Sequence, residues 1–110
     1  MEFTKVKIVT FVPVANADEL RLALGDAGAG QIGEYSFFSY SVIGKGRFVP
    51  SKETNPHIGQ ANVPEVVEEE RIEVVCERSK AKQVIEAMKS AHPYEEVAFD
   101  VYPLLDEAQL

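Results

Sequence analysis

The stretch Ala91-His92-Pro93-Tyr94-Glu95-Glu96-Val97-Ala98-Phe99-Asp100-Val101-Tyr102-Pro103-Leu104 decides how this chain is read. Pro93 has no amide N–H and disfavours helical geometry at His92, so a preceding helix has to stop there. Beyond it, Val97, Phe99 and Val101 alternate with Ala98, Asp100 and Tyr102, the period of a β-strand, which predicts a last strand over Val97–Leu104. Upstream, Ala81, Val84, Ile85, Met88 and Ala91 fall at i, i+3, i+4, i+7 and i+10. That spacing predicts an amphipathic helix, with Ser79 as its cap and Lys80, Lys82, Glu86 and Lys89 on its solvated side. Before the helix, Ile72, Val74 and Cys76 alternate with Arg71, Glu73 and Val75, a third strand. Glu68-Glu69-Glu70 leads into it and reads as a solvated run, with Glu70 in phase to turn inward.

The first half of the chain repeats this order. Lys5–Val12 carries apolar residues on both faces, as a central strand does, and Pro13 ends it. Asn16 and Glu19 have the spacing of a capping box, and Asp18 and Glu19 complement the positive end of a helix. Leu20, Ala23, Leu24 and Ala27 form its apolar stripe, and Gly28 and Gly30 terminate it. Ser36–Ile43 is predicted as the second strand. Gly44-Lys45-Gly46 reads as a break or bulge, after which Arg47-Phe48-Val49 can resume the strand. Pro50–Pro64 holds three prolines and reads as a long loop. Residues 105–110 read as a polar tail. The order β-α-β, long connection, β-α-β predicts an α+β, ferredoxin-like sandwich: an antiparallel four-stranded sheet with two helices on one face. Strands that are apolar on both faces leave the second face to be buried, which predicts self-association.

Composition bounds the function. The chain has 110 residues, enough for a single domain over 1–110, with 45% hydrophobic and 26% charged residues. The formal charge of −7, from 18 acidic and 11 basic residues, opposes nucleic-acid phosphates and acidic membranes, so neither is expected as a partner. No apolar run reaches the roughly 20 residues that span a bilayer, and Met1–Lys5 does not open a signal peptide. A cytoplasmic location is expected. Cys76 is the only cysteine, in phase with a buried strand face, and reads as a core residue. The chain has no Gly-x-Ser-x-Gly elbow, so nothing points to nucleophilic catalysis.

Five ordered motifs resemble one family. They are Gly-x-Ile-Gly-x-Tyr at Gly30–Tyr35, Gly-x-Gly-x-Phe at Gly44–Phe48, Asn-Pro-x-Ile-Gly at Asn55–Gly59, Glu-x-Arg-Ile-Glu at Glu69–Glu73 and Ala-His-Pro-Tyr-Glu-Glu at Ala91–Glu96. Together they resemble the YqfO-like domain, which exists free-standing and as an insert in the dinuclear-metal proteins called GTP cyclohydrolase 1 type 2 homologues. The one departure is His57, where an aromatic residue is usual. The resemblance implies a PII- and CutA-like fold and an oligomer, a homotrimer first and a homodimer second. In the large relatives the metals belong to the flanking domain, whose ligands have no counterpart here.

Several residue groups are candidates for function. His92, Glu95 and Glu96 are the residue types of a metal or acid–base cluster. The plainer reading is a helix stop and a turn, because adjacent Glu95 and Glu96 point apart at the start of a strand. Lys45 and Arg47 suggest an anion-recognising loop, but the strand–helix context of a phosphate loop is missing. Asn55-Pro56-His57-Ile58-Gly59 reads as a turn, and His57 with His92 could share a divalent cation. Tyr94 and the other tyrosines read as packing and interface residues. The expected function is a non-enzymatic, oligomeric binding or regulatory module. It requires no cofactor, although a divalent metal fits the residue types, and its partner is a small ligand or a protein. Its ligand candidates are His92, Tyr94, Glu95, Glu96, Lys45, Arg47 and Asn55, and its metal candidates are His92 and His57. The alternative is a divalent-metal-binding protein or small metal-dependent enzyme using His92, Glu95 and Glu96.

Overall fold

The computed structural model describes residues 2–110, so Met1 lies outside it. Four strands, β1 (Lys5–Pro13), β2 (Tyr40–Phe48), β3 (Glu65–Glu77) and β4 (Phe99–Leu104), form one antiparallel sheet in the order β2-β3-β1-β4. Helices α1 (Ala17–Asp26) and α2 (Ala81–Ala91) pack side by side on one face. This is the ferredoxin-like sandwich. Val6, Ile8 and Val12 of β1 and Ile72, Val74 and Cys76 of β3 meet Leu20, Leu24, Val84 and Met88 of the helices in a single core. Thr10, in phase with this set, is buried and donates its hydroxyl to the carbonyl of Ala98 at 3.0 Å. No helix among the described residues is long and apolar enough to cross a membrane.

Several boundaries differ from the expectation. The second strand does not start at Ser36: residues 36–39 lie outside the sheet, and β2 begins at Tyr40. Phe37 adopts a left-handed conformation, with φ of 61°, which an extended strand excludes. Nor do Gly44 and Gly46 break or bulge the strand. The β2–β3 ladder runs without a slip from Tyr40↔Glu73 to Phe48↔Glu65. The acidic run Glu68–Glu70 is consequently strand, its side chains alternating between the faces. Glu70 turns to the helix side and bonds Arg21 of α1, which also binds Ser41 at 3.1 Å. Glu69 turns to the other side and is buried, 8% exposed.

Neither Asn16 nor Ser79 caps a helix with its side chain. Each helix is instead entered through a 3-10 turn, Val14–Asn16 before α1 and Arg78–Lys80 before α2. The last strand begins two residues late, at Phe99, because residues 92–98 form the corner that carries the chain away from α2. A capping box does occur, in the segment expected as a tail. Asp106 Oδ1 accepts from the amide of Ala108 at 3.0 Å, and Gln109 Oε1 accepts from the amide of Asp106 at 2.9 Å.

One consequence of the ladder positions the site. β1 pairs β3 only over Glu69–Glu77, so the first four residues of β3 pair with β2 alone. The β2–β3 hairpin therefore projects beyond the sheet as a two-stranded ribbon, and the molecule is 48 Å long against 28 and 23 Å across.

Candidate functional site

A cleft of about 750 Å³ opens where the base of this ribbon, the loop of residues 49–64 and the corner after α2 converge. Its walls are apolar: Phe11 of β1, Val42 and Phe48 of β2, Val49, Pro50 and Ile58 of the loop, and Ala98 of the corner. Its polar groups are Glu69, Arg71, Ser51, Thr54, His57, Tyr94, Glu95 and Glu96, with Lys45 and Arg47 at its border.

Tyr94 is the hub. Its ring lies 4.9 Å from that of His92, 6.2 Å from Phe48 and 6.2 Å from His57, in tilted arrangements. Such geometry is favoured over face-to-face stacking because ring edges are positive and faces negative. The Tyr94 hydroxyl donates to Glu69 Oε2 at 2.8 Å. Burial, reinforced by this bond to Glu69, holds the hydroxyl well above the usual tyrosine range, so it stays a protonated donor. A residue of the sequence corner thus ties β2, β3, the long loop and the end of α2 together.

His92 has a different part. It is 7% exposed, and both ring nitrogens are engaged: Nε2–H donates to the carbonyl of Phe11 at 2.6 Å, and Nδ1 accepts from the amide of Tyr94 at 3.1 Å. These bonds fix the neutral tautomer. Burial lowers its pKa despite the opposing pull of the Phe11 carbonyl and of Glu69. Of the expected ligand, acid–base and cation-sharing roles, the structure shows this of His92: both ring nitrogens are committed to backbone groups. Among the described residues no group of three histidine, cysteine, aspartate or glutamate side chains is placed to hold a metal ion.

Glu95 and Glu96 are both exposed at the cleft. The Glu95 carboxylate accepts the amide of Asn55 at 3.1 and 3.3 Å, latching the long loop to the corner. Of the ligand candidates, Asn55, Tyr94, Glu95 and Glu96 thus lie near one another, with Asn55 bonding through its backbone. Lys45 and Arg47 border the cleft, but strand alternation turns their side chains to the face opposite Gly44, Gly46 and Phe48, away from Glu69.

Sequence reading missed Glu69, the buried carboxylate at the centre of the site. The signal was present: Glu69 is paired with Gly44 and lies beside Gly46. A Cβ built on Gly46 would collide with Glu69 Oε1, so the glycine is there for close approach and not for a bend.

No protein-family model matches the chain. A GTP cyclohydrolase 1 type 2 homologue of Halalkalibacterium halodurans is 46% identical over 103 residues, 94% of this chain and 28% of the relative. The solved structure of a Bacillus cereus protein related to NIF3 is 50% identical and superposes with a TM-score of 0.82, over 94% of this chain and 26% of that one. The chain therefore spans only about a quarter of the length of these relatives. The fold alone is shared with the periplasmic divalent cation tolerance protein CutA of Archaeoglobus fulgidus, at a TM-score of 0.67 and 15% identity over 93% of this chain and 85% of that one. It is also shared with the GlnK–ATP complex of Bacillus subtilis, at 0.61 and 18% over 94% and 84%. This chain is the counterpart of one segment of the GTP cyclohydrolase 1 type 2 homologues, a YqfO-like domain with the CutA- and PII-like fold.

Proposed function

We propose that this domain is a self-associating, non-enzymatic module that binds a small molecule in the cleft around Tyr94 and needs no resident cofactor. The observation that carries this reading is the cleft itself. A concave, mostly apolar space with a few convergent polar groups is the usual form of a small-molecule site. Here the groups come from three separate parts of the chain: strand β3, the 49–64 loop and the corner after α2. Tyr94 and Glu95 in the cleft, and His92 behind Tyr94, are each engaged in hydrogen bonds that hold the walls together, which suits binding rather than proton transfer.

Self-association is supported by the exposed apolar side chains of the edge strand β2 and the segment before it: Tyr35 at 78%, Ile43 at 62% and Tyr40 at 59% exposed. So large an apolar surface on one small chain is a mark of an interface. The CutA- and PII-like fold makes a trimer the first state to test. A thermal-shift panel of nucleotides, amino acids, organic amines and divalent cations tests the binding reading. At least one compound should raise the melting temperature of the natural chain and leave that of Tyr94→Ala unmoved. An equal rise in both proteins, or none with any compound, overturns the reading.

A further inference from the structure

Glu69 has an environment that the binding reading does not by itself explain. The residue is 8% exposed, yet its carboxylate has no cationic partner among the described residues. The ion pairs join Lys7 to Glu73, Arg21 to Asp18 and Glu70, and Arg71 to Glu73. Across the ladder Glu69 faces Gly44 on one side and Pro13 on the other, neither of which has a polar side chain. Arg71, two residues along the same strand, binds Glu73 at 3.3 Å and lies over the Phe11 ring at 5.7 Å. Among the described residues the only hydrogen bond that the Glu69 carboxylate accepts comes from Tyr94, on Oε2. Oε1 has no partner, and it is not sealed from the cleft, since no fully buried side-chain oxygen is left unpaired. Burying a carboxylate without a counter-charge is costly. Oε1 occupies the space that a Cβ on Gly46 would fill, and the rim carries Glu95 and Glu96 together with Lys45 and Arg47, whose strand positions face away from Glu69.

We propose that the cleft takes an organic cation: a ligand whose ammonium or guanidinium group pairs with Glu69 Oε1 and whose apolar or aromatic body lies against Phe11, Phe48 and Ile58. This rests on the binding reading above and names the ligand class of the same cleft. The cation supplies the counter-charge that Pro13 and Gly44, the ladder partners of Glu69, do not, and Gly44, with open space where a Cβ would stand, lets it approach the strand. A charge-assisted bond of this kind is stronger than a neutral one and gives the site its sign preference. A bare divalent cation fits less well, because the donors at the floor are one free carboxylate oxygen and a hydroxyl already committed to the other.

Three probes of one shape test this: 2-phenylethylamine, 2-phenylethanol and 3-phenylpropionate, each titrated into the full chain at pH 7.5 and followed by NMR. The amine should bind at least tenfold more tightly than the alcohol, and the propionate most weakly. Glu69→Gln should reduce amine affinity at least tenfold and leave the alcohol unchanged. Propionate binding as tight as the amine, or undiminished amine binding by Glu69→Gln, overturns the proposal while leaving a small-molecule module standing. Binding by none of the three also overturns it, and the broader reading is then decided by its thermal-shift panel. Should Glu69→Gln fail to fold by circular dichroism, the ranking of the three probes on the natural chain decides.

Discussion

Among the described residues the Tyr94 hydroxyl is the only hydrogen-bond donor to the buried carboxylate of Glu69, and that single bond sets what substitutions at the corner will do. Tyr94→Phe keeps the ring contacts and removes the donor. It should cost about 1.5–3 kcal/mol, the range for a hydrogen bond to a charged group, measured by urea denaturation. A cost near zero would mean that water or another group replaces the hydroxyl. His92 makes a pH-dependent contribution whose sign follows from its lowered pKa. The folded protein holds His92 neutral, and the unfolded chain protonates it at the ordinary histidine value of about 6.5. Below that value the unfolded state binds more protons, so stability is fully present above about pH 6.5 and is lost as the pH falls through it towards the folded value. His92→Gln should show a flatter stability profile between about pH 7.5 and 5.5, by the same denaturation assay. A profile as steep as that of the natural chain would remove His92 as the source. The role of Pro93 as a helix stop was legible from chemistry alone, because it depends on a missing N–H. The role of His92 was not: its partners, the Phe11 carbonyl and the Tyr94 amide, are fixed by how the corner crosses β1.

At the scale of elements, the alternation of Ile72, Val74 and Cys76 and the stripe of Val84 and Met88 predict a core that the structure contains, since both patterns arise from burial of one face. The ends of elements were less legible. Glu65–Glu70 and Gly44–Gly46 look like poor strand sequence when each is read alone. Paired across the ladder they suit one another, glycine leaving room for glutamate, and the two runs extend the hairpin. Helix entry likewise passes through 3-10 turns because the chain leaves β1 and β3 with little slack. Two predictions belong here. Met88→Ala, in the fully buried stripe of α2, should destabilise the fold by about 2–5 kcal/mol, as large-to-small core changes do. Glu95→Ala should do something different: by releasing the Asn55 latch it should speed tryptic cleavage at Lys52 in the loop while leaving the melting temperature nearly unchanged. Unaltered cleavage would show that the latch does not restrain the loop.

Across the whole molecule, the sheet leaves one face without helices, and that face is mixed in character. Lys7 and Arg71 bridge to Glu73 amid Phe11, Val42 and Tyr102. Apolar character on both sides of β1 and β2 was legible in the sequence, but the strand-by-strand pattern does not encode how copies would be arranged. Light scattering at micromolar concentration should give a whole multiple of 12.2 kDa, three being the first expectation, whereas a mass of 12.2 kDa would leave the exposed side chains of β2 without an explanation. The cleft is a property of the same scale. Glu69, Asn55, Tyr94 and Glu95 are spread over some forty residues, and only the projecting ribbon and the corner bring them to one place. The central claim is that this place is where the domain meets its ligand. Hydrogen exchange read by mass spectrometry, with and without the compound that most raises the melting temperature, tests it most directly. The account predicts added protection in residues 44–58 and 92–98 together, and protection confined to the helices or to β4 would contradict it.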